Sequence, residues 1–274
     1  MSLYSHYVPK ETLAQADRKE NPMRSSFDFR ARKVLVTGGA RGIGLALTRH
    51  LGACGATVLA VGRDEAALDR LKKEASHVAG TFVADLGDEG SPAALADWVA
   101  VEHPDTSVLI NNAAIMIHTD LVQDRMGHMD EIAAEIAVNL RAPLQLAVAM
   151  IPVLRRQTNA AIVNVTSGLA IAPKRDAAVY CATKAGLRSF TRSLRDQCRR
   201  AGYPIQVTEV IMSLVDTTLS RQTTVPKYPA DRAAQDLLRG VEHGQDEVWI
   251  EKAKILRAVQ RLSPTLANHI MRGR

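Results

Sequence analysis

From Lys33 onward, short runs of β-branched and aliphatic residues alternate with longer segments of helical periodicity, and this alternation limits what the chain can fold into more than any other feature. Short apolar runs suit strands buried on both faces, and a helix between successive strands makes those strands parallel. Strands are expected at 34–37, 57–61, 81–84, 108–111, 161–166, 205–211 and 247–250. Helices are expected at 43–53, 65–76, 92–102, 129–157 and 178–201, with Asp64 and Ser91 as N-caps. The pattern predicts an α/β protein of Rossmann type: one domain over 33–274, with a doubly wound, mostly parallel seven-stranded sheet and helices on both faces.

The flanks are less informative. Residues 1–32 are polar, carry Pro9 and Pro22, and are expected to form an arm that packs on the surface or stays mobile. Residues 218–243, with Arg221, Pro226, Lys227 and Pro229, are expected to form a lid over a pocket. In the tail at 252–274, Ile255, Leu256, Val259, Leu262, Leu266 and Ile270 fall at near-helical spacing broken by Pro264. That stripe suits packing on the parent domain or a sister subunit better than a membrane surface.

Composition narrows the function classes. The formal charge of +6 is spread over scattered Lys and Arg residues, so no nucleic-acid partner is expected. No signal-peptide pattern and no run near the roughly 20 apolar residues of a membrane span is evident. Cys54, Cys181 and Cys198 form no CxxC pair, which predicts reduced thiols and a cytoplasmic location. The eight histidines form no HExxH or similar cluster, so no metal is expected. Asn164-Val165-Thr166 matches a glycosylation sequon inside an expected strand and is discounted.

The first strand runs into Thr37-Gly38-Gly39-Ala40-Arg41-Gly42-Ile43-Gly44 and then a helix. Glycines at such a turn let backbone approach a pyrophosphate closely, while free N–H groups and the positive end of the helix dipole stabilise its charge. Glycine-rich turns of this kind also occur without a nucleotide. Further on, Tyr180 and Lys184 are four residues apart, which on a helix sets a phenol beside an ammonium on one face. A neighbouring cation favours the phenolate and brings the phenol nearer to working pH.

Thr37, Gly38, Gly42 and Gly44 match the TGxxxGxG motif of the short-chain dehydrogenase/reductase family, and Asn111-Asn112-Ala113-Ala114 resembles its NNAG. Ser167 stands thirteen positions before Tyr180, as in that family, and Asn139 lies in a matching Val138-Asn139-Leu140. The segments SGLA, YCATKAGL and LVDTTL look most like the DltE-like branch, and the resemblance covers about residues 33–262. Ala114 departs mildly at the last position of NNAG, and the loop after the sixth strand departs with Met212-Ser213 where the family has Pro-Gly.

The resemblance implies an oxidoreductase that interconverts a carbonyl and an alcohol by hydride transfer. Its catalytic residues would be Ser167, Tyr180, Lys184 and Asn139: Tyr180 as general acid/base, Ser167 polarising the substrate oxygen, and Asn139 positioning a water that relays protons from Lys184. The cofactor would contact Thr37, Gly38, Arg41, Gly42, Ile43, Gly44, Arg63, Asp85, Leu86, Asn112, Ala113, Ala114, Tyr180, Lys184, Val215 and Thr217. Gly62 fills the place of the acid that selects NAD, and Arg41 and Arg63 fall where basic residues meet a 2′-phosphate, so NADP(H) is expected over NAD(H). Substrate would meet Ser167, Leu169, Met212 and Leu214, with Met116 adding apolar surface and Lys174 and Arg175 available to an acidic group. A homodimer or homotetramer is expected from the two long helices. The alternative is a non-catalytic NADP(H)-binding sensor or structural protein on the same fold.

Overall fold

The computed structural model describes residues 27–118, 121–122, 128–217, 226–263 and 265–267. Strands β1 (Lys33–Thr37), β2 (Thr57–Gly62), β3 (Val78–Val83), β4 (Thr106–Asn111), β5 (Ala160–Ser167), β6 (Ile205–Met212) and β7 (Glu247–Trp249) form one sheet in the order β3-β2-β1-β4-β5-β6-β7. Every pairing is parallel. Each expected strand is present; β3 and β4 start earlier than apolar runs alone suggest, because Gly80 and Thr106 join the ladder.

Helices cover both faces. On one side, α1 (Gly42–Ala53), α2 (Glu65–Glu74) and α7 (Ala230–Glu242) bury Leu47, Leu68 and Leu237 against Val34, Val36 and Val163. On the other, α3 (Ser91–Glu102), α5 (Ala142–Leu154) and α6 (Ala178–Arg200) bury Leu95, Leu146 and Leu194 against Leu35, Leu109 and Ile162. Residues of β4 and β5 are buried without exception, which explains why both read as continuous runs. Asn164, the sequon residue, is among them, hydrogen-bonded to Asn111 (2.8 Å) and Thr191 (2.9 Å).

Several expectations need correction. Asp64 caps α2 through the Ala67 N–H (2.9 Å), but α3 is capped by Gly90 and takes Ser91 into its first turn, where Pro92 needs no donor partner. The arm and the domain do not part at residue 32. Phe27 and Phe29 are buried, edge to face at 5.2 Å, and Phe27 N–H donates to Glu242. Each ring contributes roughly 1.5–3 kcal/mol by leaving water, an anchor that the polar context of residues 1–26 conceals; those residues lie outside the described ones. Within the expected lid, 230–242 is helix α7, whose Ala233, Leu237 and Val241 are core. Residues 218–225 lie outside the described ones, as do 268–274 of the tail.

The long helix expected at 129–157 is three pieces: α4 (His128–Ile136), a π-helical turn (Ala137–Arg141) and α5. Within His128–Leu154 the most apolar 18 residues reach a mean hydropathy of 1.5, enough by length and composition alone to cross a membrane, but half of that window is buried inside the domain, as in a core helix. The tail begins as α8 (Lys252–Leu262), with Ala253 packed on Trp249 and Ile171, while Ile255 and Leu262 are exposed.

Helix α6 is held to the sheet by ions. Arg188 bonds the fully buried Glu209 on β6 with both carboxylate oxygens (2.7 and 2.8 Å) and also reaches Glu247 on β7 (3.2 Å). Thr166 donates to Glu209 (2.7 Å), so strand β5 belongs to the same network.

Candidate active site

The strand order reverses between β1 and β4, and in open α/β sheets the crevice beyond such a point receives ligands. A cleft of about 280 Å³ opens there. Gly38, Arg41, Gly42, Ile43, Arg63, Asp85, Leu86, Asn112, Ala113, Ala114 and Thr217, all among the residues expected to meet a cofactor, line it. Ala40, Val61, Ala84, Ile115 and Val138 also line it; their small or apolar side chains carry no motif.

The turn needs its glycines for separate reasons. Gly38 (φ +69) and Gly42 (φ +51) adopt left-handed backbone that side chains resist. At Gly44 a Cβ would lie 1.9 Å from the Gly38 carbonyl oxygen, so only glycine lets α1 approach the turn this closely. Arg41, the residue before α1, makes no side-chain cap, and the first turn of α1 faces the cleft with its dipole uncompensated by any acid. This cradle fits a pyrophosphate. Thr37 plays another part than contact: buried, its hydroxyl accepts the Asn112 and Ala113 N–H groups (both 3.0 Å), and Asn112 Nδ2 returns a bond to the Thr37 carbonyl (2.9 Å). Thr37 and Asn112 staple the ends of β1 and β4. Gly44 supports the turn from beneath in the same way, and Val215 is buried, bridged to Tyr228.

At the β2 end, Arg41 pairs with Asp64, and Arg63 pairs with Asp85 (3.1 Å). Both guanidinium groups stay largely in solvent at the rim of the cleft. The Ala67 N–H holds the Asp64 carboxyl below the usual range, as suits a helix cap. Gly62 leaves room: a Cβ there would meet Leu68 at an ordinary 3.9 Å.

Ser167 ends β5 and Tyr180 lies in the first turn of α6, which brings the two hydroxyls near each other at the sheet's carboxyl edge, where Ser167 acts to lower the phenol's pKa. Lys184, one helical turn on, is 2% exposed; its Nζ donates to the Val165 carbonyl (2.9 Å) and stands 5.7 Å from the Tyr180 ring centre. Here the charge argument from sequence fails. Burial pushes the Tyr180 phenol above its ordinary value, against the influence of Ser167, and brings Lys184 down to about 8. Desolvation outweighs the ammonium because Nζ points at a backbone carbonyl instead of the phenol oxygen.

Asn139 sits in the π-helical turn, fully buried, and binds Ile115 at both backbone groups: Oδ1 accepts its N–H (2.9 Å) and Nδ2 donates to its carbonyl (2.7 Å). Its side chain is thereby committed to the backbone, so any water it positions must be held by other atoms. Leu169, with Ala114 and Met116, packs on Tyr180, Cys181 and Ala177, and its N–H bonds Ser167 Oγ (3.1 Å). Leu214 is half-buried. Met212, expected at the substrate, lies in the core cluster of Val210 and Val215. Lys174 is paired with Asp176 (3.0 Å). Glu135, not foreseen, is buried beside this constellation and accepts the Ile117 N–H (3.0 Å); Asp130 and Glu131 in the same helix left it without a distinguishing mark in sequence.

The family model for short chain dehydrogenases matches residues 32–227. The chain is 36% identical over 237 residues to "Uncharacterized oxidoreductase DltE" of Bacillus subtilis, covering 83% of this chain and 91% of that one. It is 32% identical over 200 residues to an L-xylulose reductase of Caenorhabditis elegans, covering 73% and 78%. Among solved structures, a short chain dehydrogenase from Burkholderia cenocepacia in complex with NADP superposes with TM-score 0.79 at 25% identity, covering 89% and 99%. One from Sphingobium yanoikuyae in complex with NADPH gives 0.73 at 26%, covering 86% and 94%. The chain belongs to the short-chain dehydrogenase/reductase family, in its DltE-like branch, and is an enzyme acting on CH–OH and C=O groups with NAD(P).

Proposed function

We propose that this enzyme is an NADP(H)-dependent carbonyl reductase in which Tyr180 is the general acid/base. The observation that carries the reading is the Ser167–Tyr180 hydroxyl pair beside the end of the glycine-turn cleft, with the phenol kept protonated by burial. A protonated phenol can donate to a carbonyl oxygen, as reduction requires. Bound NADPH supplies the hydride. Ser167 holds the substrate oxygen and supplies a preplaced hydrogen bond as charge develops there. Tyr180 then gives its proton to that oxygen, Lys184 with Tyr180 holds the nicotinamide ribose, and Asn139 keeps the wall beside them in place through Ile115. Ala114, Met116 and Leu169 make the substrate side apolar, which suits an aliphatic or alicyclic ketone or aldehyde. Turnover of a panel of such compounds with NADPH tests the reading; nucleotide binding without turnover of any of them moves it to a sensor.

Preference for NADP(H) rests on Arg41 and Arg63 at the rim and on Gly62 in the place of an acid. It agrees with the NADP and NADPH of the two superposed proteins. Gly62→Asp, for which the site has room, introduces a carboxylate that accepts from a free 2′-hydroxyl and repels a 2′-phosphate. The expected result is a swing of about tenfold or more from NADPH towards NADH, equivalent to roughly 1.4 kcal/mol, read by titrating each nucleotide; an unchanged ratio contradicts the assignment.

We place a homo-oligomer contact on the outer face of α4 and α5, where Met129, Ile136 and Val148 are exposed. Light scattering should give a dimer or tetramer, and a monomer at micromolar concentration counts against it. The free thiols of Cys54, Cys181 and Cys198 suit a reducing, cytoplasmic compartment, which cell fractionation checks.

A further inference from the structure

Residues 112–118, directly after β4, border the active site without regular structure of their own, yet they are held at alternate residues. Asn139 binds the N–H and carbonyl of Ile115, and Glu135, one turn earlier in the helix, accepts the Ile117 N–H at 3.0 Å. The residues between and before them, Ala114 and Met116, pack on Tyr180, Cys181, Ala177 and Leu169. Two side chains four residues apart thus stand in for a neighbouring strand, and the segment's other side becomes the apolar wall at the phenol.

Glu135 is 2% exposed, and placing a carboxylate there costs free energy that an apolar residue would not. Burial pushes its pKa up, with the Ile117 hydrogen bond opposing. Its charge is felt at both Tyr180 and Cys181, whose protons it helps retain. Among the described residues, Ile117 is its hydrogen-bond partner. A bond to an ionised acceptor is about twice as strong as a neutral one, and without it the Ile117 N–H would lose its acceptor.

We propose that Glu135 is a positioning residue that sets the substrate wall: through Ile117 it holds Met116 and Ala114 against Tyr180 and so fixes the width allowed to the groups flanking the carbonyl. Its effect on turnover rests on the carbonyl reductase reading; its effect on the wall does not.

The test compares wild type with Glu135→Gln and Glu135→Ala. Gln keeps a carbonyl oxygen for the Ile117 N–H, whereas Ala removes the acceptor. Hydrogen exchange over residues 112–118 and alkylation of Cys181 by iodoacetamide, located by peptide mapping, report the wall without any substrate. Both should rise about tenfold or more in Glu135→Ala, as loss of a hydrogen bond to a charged group implies, and stay near wild type in Glu135→Gln. With a ketone that is turned over, KM in Glu135→Ala should rise by a similar factor and discrimination between slim and bulky ketones should shrink, with little change in kcat or NADPH affinity. If Glu135→Ala does not fold, Ile117→Pro removes the same bond from the donor side and should give the same readouts. Wild-type exchange and alkylation in the acceptor-less or donor-less variant, or a Gln variant as open as Ala, overturns the proposal. If wild type turns over no carbonyl compound, the reductase reading fails, and exchange and alkylation still decide whether Glu135 holds the wall.

Discussion

Tyr180→Phe should lower kcat for ketone reduction by about 10²–10⁴-fold, the range found for loss of a positioned general acid, or roughly 3–5 kcal/mol of transition-state stabilisation. The substitution removes one oxygen. The ring keeps its place among Ala114, Met116, Leu169 and Cys181, so the wall and the fold should persist. Ser167 loses the hydroxyl beside it but keeps the Leu169 N–H, so its hydroxyl stays oriented towards the substrate. NADPH should still bind, losing only the Tyr180 hydroxyl at the nicotinamide ribose, because the glycine turn and the arginine rim are untouched. The phenol is protonated at neutral pH at its ordinary value, and burial raises that value further. Steady-state kinetics with thermal melts as a folding control give the answer; a variant within threefold of wild type would mean that another group delivers the proton.

Glu209→Ala should destabilise the protein by about 3–5 kcal/mol, the cost of removing one partner from a buried ion pair. Arg188, itself mostly buried, would keep only its longer bond to Glu247, and Thr166 would lose its acceptor on the carboxylate. For a chain of this size the expected fall in Tm is on the order of 10 °C. Glu209→Gln, which keeps an oxygen for Thr166 and Arg188, should lose less. The network ties α6, which carries Tyr180 and Lys184, to β5, β6 and β7, so activity should disappear with the fold and not before it. Loss of activity at temperatures where the variant is still folded would instead show that the network tunes the site.

The fold was readable because parallel strands buried on both faces announce themselves as apolar runs, and the glycine turn announces the crevice. What the sequence hid follows from packing. Phe27 and Phe29 belong to the core although the segment leading to them is polar, since two aromatic rings suffice to anchor it. The π-helical turn at Asn139 has no compositional mark; it shows only where the side chain binds Ile115. Residues 230–242 were read as lid from the prolines before them, whereas Ala233, Leu237 and Val241 face the core. In the site, Ser167 and Tyr180 lie at the same sheet edge, but the direction of the phenol's pKa shift did not follow from the nearness of Lys184 in sequence. Which way an ammonium points, here to Val165, is a property of the packed structure.

The central claim is that the cleft between β1 and β4 binds NADP(H) for chemistry at Tyr180, and one titration tests it most directly. Purified protein is titrated with NADPH and, separately, with NADH, and the nucleotide fluorescence is followed. Saturable binding of both is expected, tighter for NADPH; binding of neither nucleotide would contradict the assignment of the cleft.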